Sequence, residues 1–261
     1  MRRLYLPSTL VLLLLGLAAA CQTVPITGRS QLMLLPEPEE IRMGLQAYQA
    51  ILKKSRISRD PQANELVNRV GTRIAQATGR MDYRWEFTVI EDAKQVNAFA
   101  LPGGKVAVYT GILPVTKDDA GLATVLGHEV AHAIARHGGE RVSQGLLVQV
   151  GLATAQAAMA SGDPRMVQQV TGLLGAGAAV GVILPFSRAQ ESEADRLGLI
   201  YMAKAGYDPR AAIPFWERMG QAARGRPSPP EFLSTHPSHG TRIRQIEQWL
   251  PEALAHYRPS R

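Results

Sequence analysis

The 261-residue chain holds a single cysteine, Cys21. One cysteine makes no internal disulfide, and an odd one in an exported chain needs another use. Aromatic residues make up 6% of the sequence, and no basic stripe interleaves with them, which argues against a nucleic-acid partner. No internal repeat is present. Residues 10–20 and 166–187 are apolar stretches without charge. Residues 10–20 are too few to cross a bilayer comfortably. Residues 166–187, "MVQQVTGLLGAGAAVGVILPFS", are long enough, but Gln168, Gln169, Thr171 and four glycines interrupt them and Pro185 closes them. A buried or interfacial helix of small residues suits that composition better than a membrane span.

What is present supports a sizeable core. Hydrophobic residues are 46% and charged residues 20%, enough for one medium domain or two small ones. The net charge is +7, or 7 − 2 = +5 without Arg2 and Arg3, which suits an anionic membrane surface. "MRRLYLPSTLVLLLLGLAAAC" has a basic start, an apolar stretch and small residues before Cys21. That is the form of a signal peptide over residues 1–20. "LAAAC" resembles the lipobox of bacterial lipoproteins, although Ala18 stands where Leu is commonest. The resemblance implies a lipidated Cys21. Gln22, in place of Asp, implies sorting to the outer membrane, with the protein anchored on its periplasmic face.

Residues 21–38 read as an extended tether, and residues 39–261 as one domain. Pro36 and Pro38 with Glu39 and Glu40 open a helix whose apolar face is Ile41, Leu45, Tyr48 and Leu52. A second helix starts near Pro61, faces inward through Leu66, Val70 and Ile74, and ends at Gly79. "RWEFTVIED" and "KVAVYTG" read as strands, with a turn at Gly103 and Gly104. Helices return from Asp118 to about His137, then from Gly139 to the break at "SGDP", then over 188–205, 209–222 and 239–249. The Pro-rich stretch "ARGRPSPPEFLSTHPSHG" is a long loop, and such loops are often functional. The fold class is α+β and mainly helical, with a small sheet.

The chemistry gathers in "LGHEVAHAIARHG". Helical residues four apart lie about 40° apart around the axis, so His128 and His132 project side by side and suit one Zn²⁺ ion, with Glu129 beside them. His137 is nine residues from His128, about opposite on the same helix, and reads as a cap or packing residue where Gly138 and Gly139 stop the turn. A catalytic zinc needs a third protein ligand. His236, His239, His256 and the acids are candidates. "RAQESEADRLG" offers Glu191 and Asp195 on one helical face, while Glu193 points about 200° away and reads as solvent-facing. One of the facing pair can reach a metal, and the other can accept the free N–H of a ligand histidine. Spacing alone does not decide which.

"GHEVAHAIARH", "QESEADRLG", "NAFALPGG" and "STHP" with Arg242 beyond it resemble the gluzincin family that includes the CAAX prenyl proteases and the HtpX-, Oma- and BepA-type proteases. The resemblance runs in order over residues 40 to 250. It is strongest to small lipoprotein members, since no TPR-like repeats and no set of hydrophobic spans are present. It implies a zincin-type metallopeptidase domain whose sheet has an edge strand lining the active site. It implies one zinc per chain on His128, His132 and Glu191, with Glu129 as acid/base and Asp195 behind a ligand histidine. Asn97, Ala98 and Phe99 fall on the substrate-binding edge strand. His236 resembles a loop histidine that blocks the metal's water position, stabilises the oxyanion or only holds the Pro-rich loop, and Arg242 is placed to face the acids. The implied function is hydrolysis of unfolded or misassembled envelope proteins. The competing class is a non-enzymatic outer-membrane assembly factor with a structural zinc.

Overall fold

The computed structural model describes residues 21–161, 187–224, 230–236 and 241–259. The signal segment and the charge-free run, except Ser187, lie outside them. In chain order the elements are β1 (Cys21–Thr23), β2 (Ser30–Leu32), α1 (Glu37–Leu52), α2 (Pro61–Thr78), β3 (Glu86–Ile90), β4 (Ala98–Leu101), β5 (Lys105–Tyr109), α3 (Leu113–Thr116), α4 (Asp119–Ile134), α5 (His137–Ser161), α6 (Arg188–Lys204), α7 (Ala212–Ala223), α8 (Glu231–Thr235) and α9 (Arg242–His256). The architecture is α+β and mainly helical, as expected. Backbone contacts group the chain into two compact units, residues 38–138 with 183–261 and residues 1–37 with 139–182.

In the larger unit, the strand order is β3-β5-β4. β5 pairs parallel with β3 and antiparallel with β4. Val106, Ala107 and Val108 are fully buried, as a central strand requires. The β4–β5 connection turns at Gly103 and Gly104, whose φ angles of 83° and 85° favour glycine. Among the described residues β4 is an edge strand.

Helix α2 begins under the Asp60 side chain, which accepts from the Gln62 amide, and ends at Gly79 with φ 74°. It packs against β3, α4 and α6. The buried face of α1 differs from the expected one: Glu40, Gly44 and Tyr48 face inward, while Leu45 is exposed. The cause is a paired acid. Glu40 accepts from Arg136 Nε at 3.1 Å, so its charge is compensated inside.

Helix α4 is the centre of this unit. Asp118 caps it by accepting from the Gly121 amide, and every residue from Gly121 to Ile134 is buried. It packs against α2, α6, α7 and β4. Helix α6 opens with a capping box between Ser187 and Gln190. Its other neighbour is α9. Helix α8 is a short turn inside the Pro-rich stretch that reads as loop.

In the smaller unit, the expected extended tether is a hairpin instead, with β1 antiparallel to β2. Arg29 holds it to α5, donating from Nη1 and Nη2 to the Glu140 carboxylate at 2.9 and 2.8 Å. The Leu34 amide donates to Ser143 Oγ at 2.9 Å. Cys21 is exposed at the start of β1. Among the described residues no helix is long and apolar enough to cross a membrane.

Candidate metal centre

The four-residue spacing on α4 brings His128 Nε2 and His132 Nε2 within 3.1 Å of each other. Both rings are buried. Helix α6 meets them from across the core. Glu191, in its first turn, presents Oε1 3.3 Å from His132 Nε2 and Oε2 3.5 Å from His128 Nε2. Asp195 lies one turn on, with Oδ1 2.9 Å from His128 Nδ1. The four-residue rule therefore separates the two acids by depth: Glu191 faces both histidines, and Asp195 stands behind one.

Arg242 closes the acidic side. It donates from Nε to Asp195 Oδ2 at 2.6 Å and from Nη2 to Glu191 Oε2 at 2.8 Å. Its guanidinium stacks 3.7 Å from the Trp216 ring centre. It is buried by these groups and touches the acids, so it holds them in position.

His236 also belongs to the cluster. The helix α8 amide of Phe232 donates to Val96 O at 3.0 Å, which docks α8 beside the strand β4. His236 Nδ1 then lies 3.0 Å from Glu191 Oε1 and 3.2 Å from His128 Nε2. Its Nε2 is 3.3 Å from Glu129 Oε1, yet that buried oxygen makes no hydrogen bond. Glu129 Oε2 accepts from the Ala100 amide at 3.2 Å. His239 lies outside the described residues, and His256 is exposed at the end of α9.

The edge strand is placed as expected, with one change. The Tyr109 amide donates to Asn97 O, so by alternation Phe99 also faces β5, and Ala98 and Ala100 turn their backbone groups outward. Asn97 Oδ1 accepts from the Ala98 amide at 2.9 Å. The Phe99 ring packs beside Tyr109. Ala100, rather than Phe99, is the second residue whose backbone groups face away from β5, and its amide is bonded to Glu129 Oε2.

Two residues differ from expectation. Helix α4 ends at Ile134 and the chain reverses at Arg136, with φ 56°. His137 therefore starts α5 instead of lying opposite His128. Its Nδ1 sits 2.8 Å from His132 Nδ1, and its Nε2 sits 3.0 Å from Glu193 Oε2. Glu193 is buried, not solvent-facing, because α6 is covered by α4, α2 and α9. Ala194, Leu197 and Ile200, on one side of it, are apolar, and that stripe is the available signal of burial, set against polar Gln190, Ser192 and Arg196.

Electrostatics separate the groups. Burial would depress the His128 imidazole, but Glu191 and Asp195 outweigh it and raise it to about 9. Burial holds His132 well below its ordinary value. It raises the Glu129 carboxyl, against the pull of His236 and His128. Burial also opposes ionisation of Glu191, yet the three histidines hold it well below the carboxylate range. Arg242 and His128 do the same for Asp195.

Donor atoms of His128, His132, Glu191 and His236 all lie within 4.8 Å of one another. The outer nitrogens of His128 and His132 are engaged by Asp195 and His137, which turns both inner nitrogens toward Glu191. Imidazole nitrogens with one carboxylate are a zinc donor set, so these residues fit that ion.

Residues 61–250 match peptidase family M48. The mitochondrial metalloendopeptidase OMA1 of Schizosaccharomyces pombe is 41% identical over 233 residues, 88% of this chain and 66% of the relative. OMA1 of Homo sapiens is 34% identical, covering 88% of this chain and 46% of the relative. The β-barrel assembly-enhancing protease of Escherichia coli is 30% identical, covering 87% and 47%. The chain thus spans about two thirds of the yeast protein and about half of the other two. These findings correct the expected outer-membrane location: the relatives at the higher identities are mitochondrial, and the bacterial protease matches at lower identity. On the matched span and its zinc donor set, the chain belongs to peptidase family M48, a family of zinc metallopeptidases.

Proposed function

We propose that the protein is a zinc-dependent endopeptidase that cuts unfolded or misassembled proteins. One observation carries the reading: a buried carboxyl, Glu129, stands beside the His128, His132 and Glu191 donors with one oxygen free of hydrogen bonds. Zinc held by His128, His132 and Glu191 would make water acidic enough to attack near neutral pH and would polarise the scissile carbonyl. Glu129 Oε1 takes the proton of the attacking water and returns it to the leaving nitrogen. Its raised pKa suits both roles. Asp195 orients His128, and Arg242 orients both Glu191 and Asp195.

The substrate lies extended along β4. Ala98 and Ala100 offer main-chain hydrogen bonds, which ask little of the substrate's side chains. The peptide takes over from Asn97 Oδ1 at Ala98 and from Glu129 Oε2 at Ala100. Access therefore favours chains that are already unfolded.

His236 makes a fourth donor, and four protein donors close a zinc site to water. Catalysis then requires His236 to withdraw. A non-enzymatic assembly factor with structural zinc has no use for the buried Glu129. Cleavage of a casein-like unfolded protein, lost with a chelator and restored by Zn²⁺, tests the reading. Absence of zinc-restored cleavage sinks it.

A further inference from the structure

We infer that His137 and Glu193 form a relay behind His132 that fixes the tautomer and the aim of this metal-ligand histidine. The inference rests on the zinc reading above. His132 and His137 approach Nδ1 to Nδ1 at 2.8 Å. Two ring nitrogens at that distance share one hydrogen, because two hydrogens collide and two lone pairs repel. To ligate a metal, His132 must turn a lone pair at Nε2 toward Glu191. As a neutral imidazole it then carries its hydrogen on Nδ1. It donates that hydrogen to His137 Nδ1. The hydrogen of His137 is left on Nε2, where Glu193 Oε2 accepts it at 3.0 Å.

The reverse assignment fails at both ends. A hydrogen donated by His137 Nδ1 would force the His132 hydrogen onto Nε2, facing the other donors. It would also leave a lone pair on His137 Nε2 against the Glu193 carboxylate. The order His132 to His137 to Glu193 is therefore the one that fits both contacts and leaves His132 Nε2 free to face a metal. Water does not substitute, since His137 is fully buried and His132 and Glu193 are 3% and 7% exposed.

The two histidines of α4 are supported by different devices. His128 has a carboxylate directly behind it, Asp195. His132 has an imidazole and then a carboxylate. Helix α6 supplies Glu191, Glu193 and Asp195, so one helix provides a ligand and the outer support of both others. His137 and Glu193 touch no substrate position; they are positioning residues.

The test compares zinc affinity, by competition with a chromogenic chelator, and the Tm of the metal-free protein. The variants are His137→Leu, His137→Asn and Glu193→Gln. His137→Leu is expected to weaken zinc binding by about 10–100-fold. In His137→Asn the side-chain oxygen stands near the lost Nδ1 and accepts from His132, so part of the affinity returns. Glu193→Gln keeps the shape and lowers affinity less than His137→Leu. The ranking of affinities is expected not to follow the metal-free Tm values. Affinities within about twofold of wild type in all three variants would overturn the relay. So would an Asn variant no better than Leu with losses that track the metal-free Tm. If His137→Leu does not fold, Glu193→Gln and His137→Asn decide, with wild-type affinity in both counting against the relay. A wild-type protein that binds no zinc would overturn the zinc reading and the relay with it.

Discussion

A Cβ placed on Gly127 would lie 2.8 Å from the carbonyl oxygen of Gly198, and one on Gly198 would lie 2.9 Å from the His128 amide nitrogen. Helices α4 and α6 thus touch backbone to backbone beside the first ligand histidine. That approach brings the Glu191 carboxylate within reach of both imidazoles. Gly198→Ala forces the helices apart. It should destabilise the fold by about 1–3 kcal/mol and weaken zinc binding. Denaturant unfolding and chelator competition measure the two effects; an unchanged zinc affinity would break the link between helix spacing and the site.

Arg242 neutralises two buried acids, Glu191 and Asp195. Arg242→Met removes their buried guanidinium and leaves only the histidines to compensate them, at a cost of about 3–5 kcal/mol. Bound zinc compensates part of that charge. The loss of stability should therefore be larger in the metal-free protein than in the zinc-loaded one. Equal losses in the two forms, measured by denaturant unfolding, would contradict this.

In the proposed function His236 adds a fourth donor to a catalytic site that needs three. His236→Ala should keep one zinc per chain and cleave an unfolded substrate faster than wild type. Steady-state cleavage with metal analysis checks this. A fall of about 10²–10³-fold in kcat would instead make His236 an oxyanion donor.

Tyr48 gives a pH dependence remote from the metal. Its hydroxyl donates to Thr88 Oγ1 at 2.6 Å, and burial pushes its pKa up to about 12 from 10.0. The folded state therefore favours the protonated phenol. Both states are protonated below pH 10, and only the unfolded chain ionises between about pH 10 and 12. Stability should fall over that window, and less steeply in Tyr48→Phe. Identical slopes in urea titrations of the two proteins would remove Tyr48 from the account.

His128, Glu129 and His132 are legible in the sequence because helical period alone sets them together. Glu191 and Asp195 obey the same period, although 191 − 132 = 59 residues separate Glu191 from His132. The family resemblance, not spacing, orders that pair. The second support was hidden for a local reason. Helix α4 stops two residues before Arg136 takes a left-handed turn, and a non-glycine at that position gives no warning. Continuing the helix to His137 sends its ring to the wrong side. Glu193 reads as solvent-facing because helical phase turns it about 200° from Glu191, whereas α6 is packed on several faces. Helix α8 has five residues, too few to show a period. The shift in α1 comes from Glu40, whose partner Arg136 is 96 residues away.

In the proposed function Glu129 and Glu191 divide the work, one moving the proton and the other holding the metal. Zinc content and cleavage of an unfolded protein, measured together on wild type, Glu129→Gln and Glu191→Ala, test it most directly. Glu129→Gln should keep one zinc per chain and lose cleavage, and Glu191→Ala should lose both. A Glu129→Gln protein that cuts like wild type, or a Glu191→Ala protein that holds zinc at full affinity, would contradict the account.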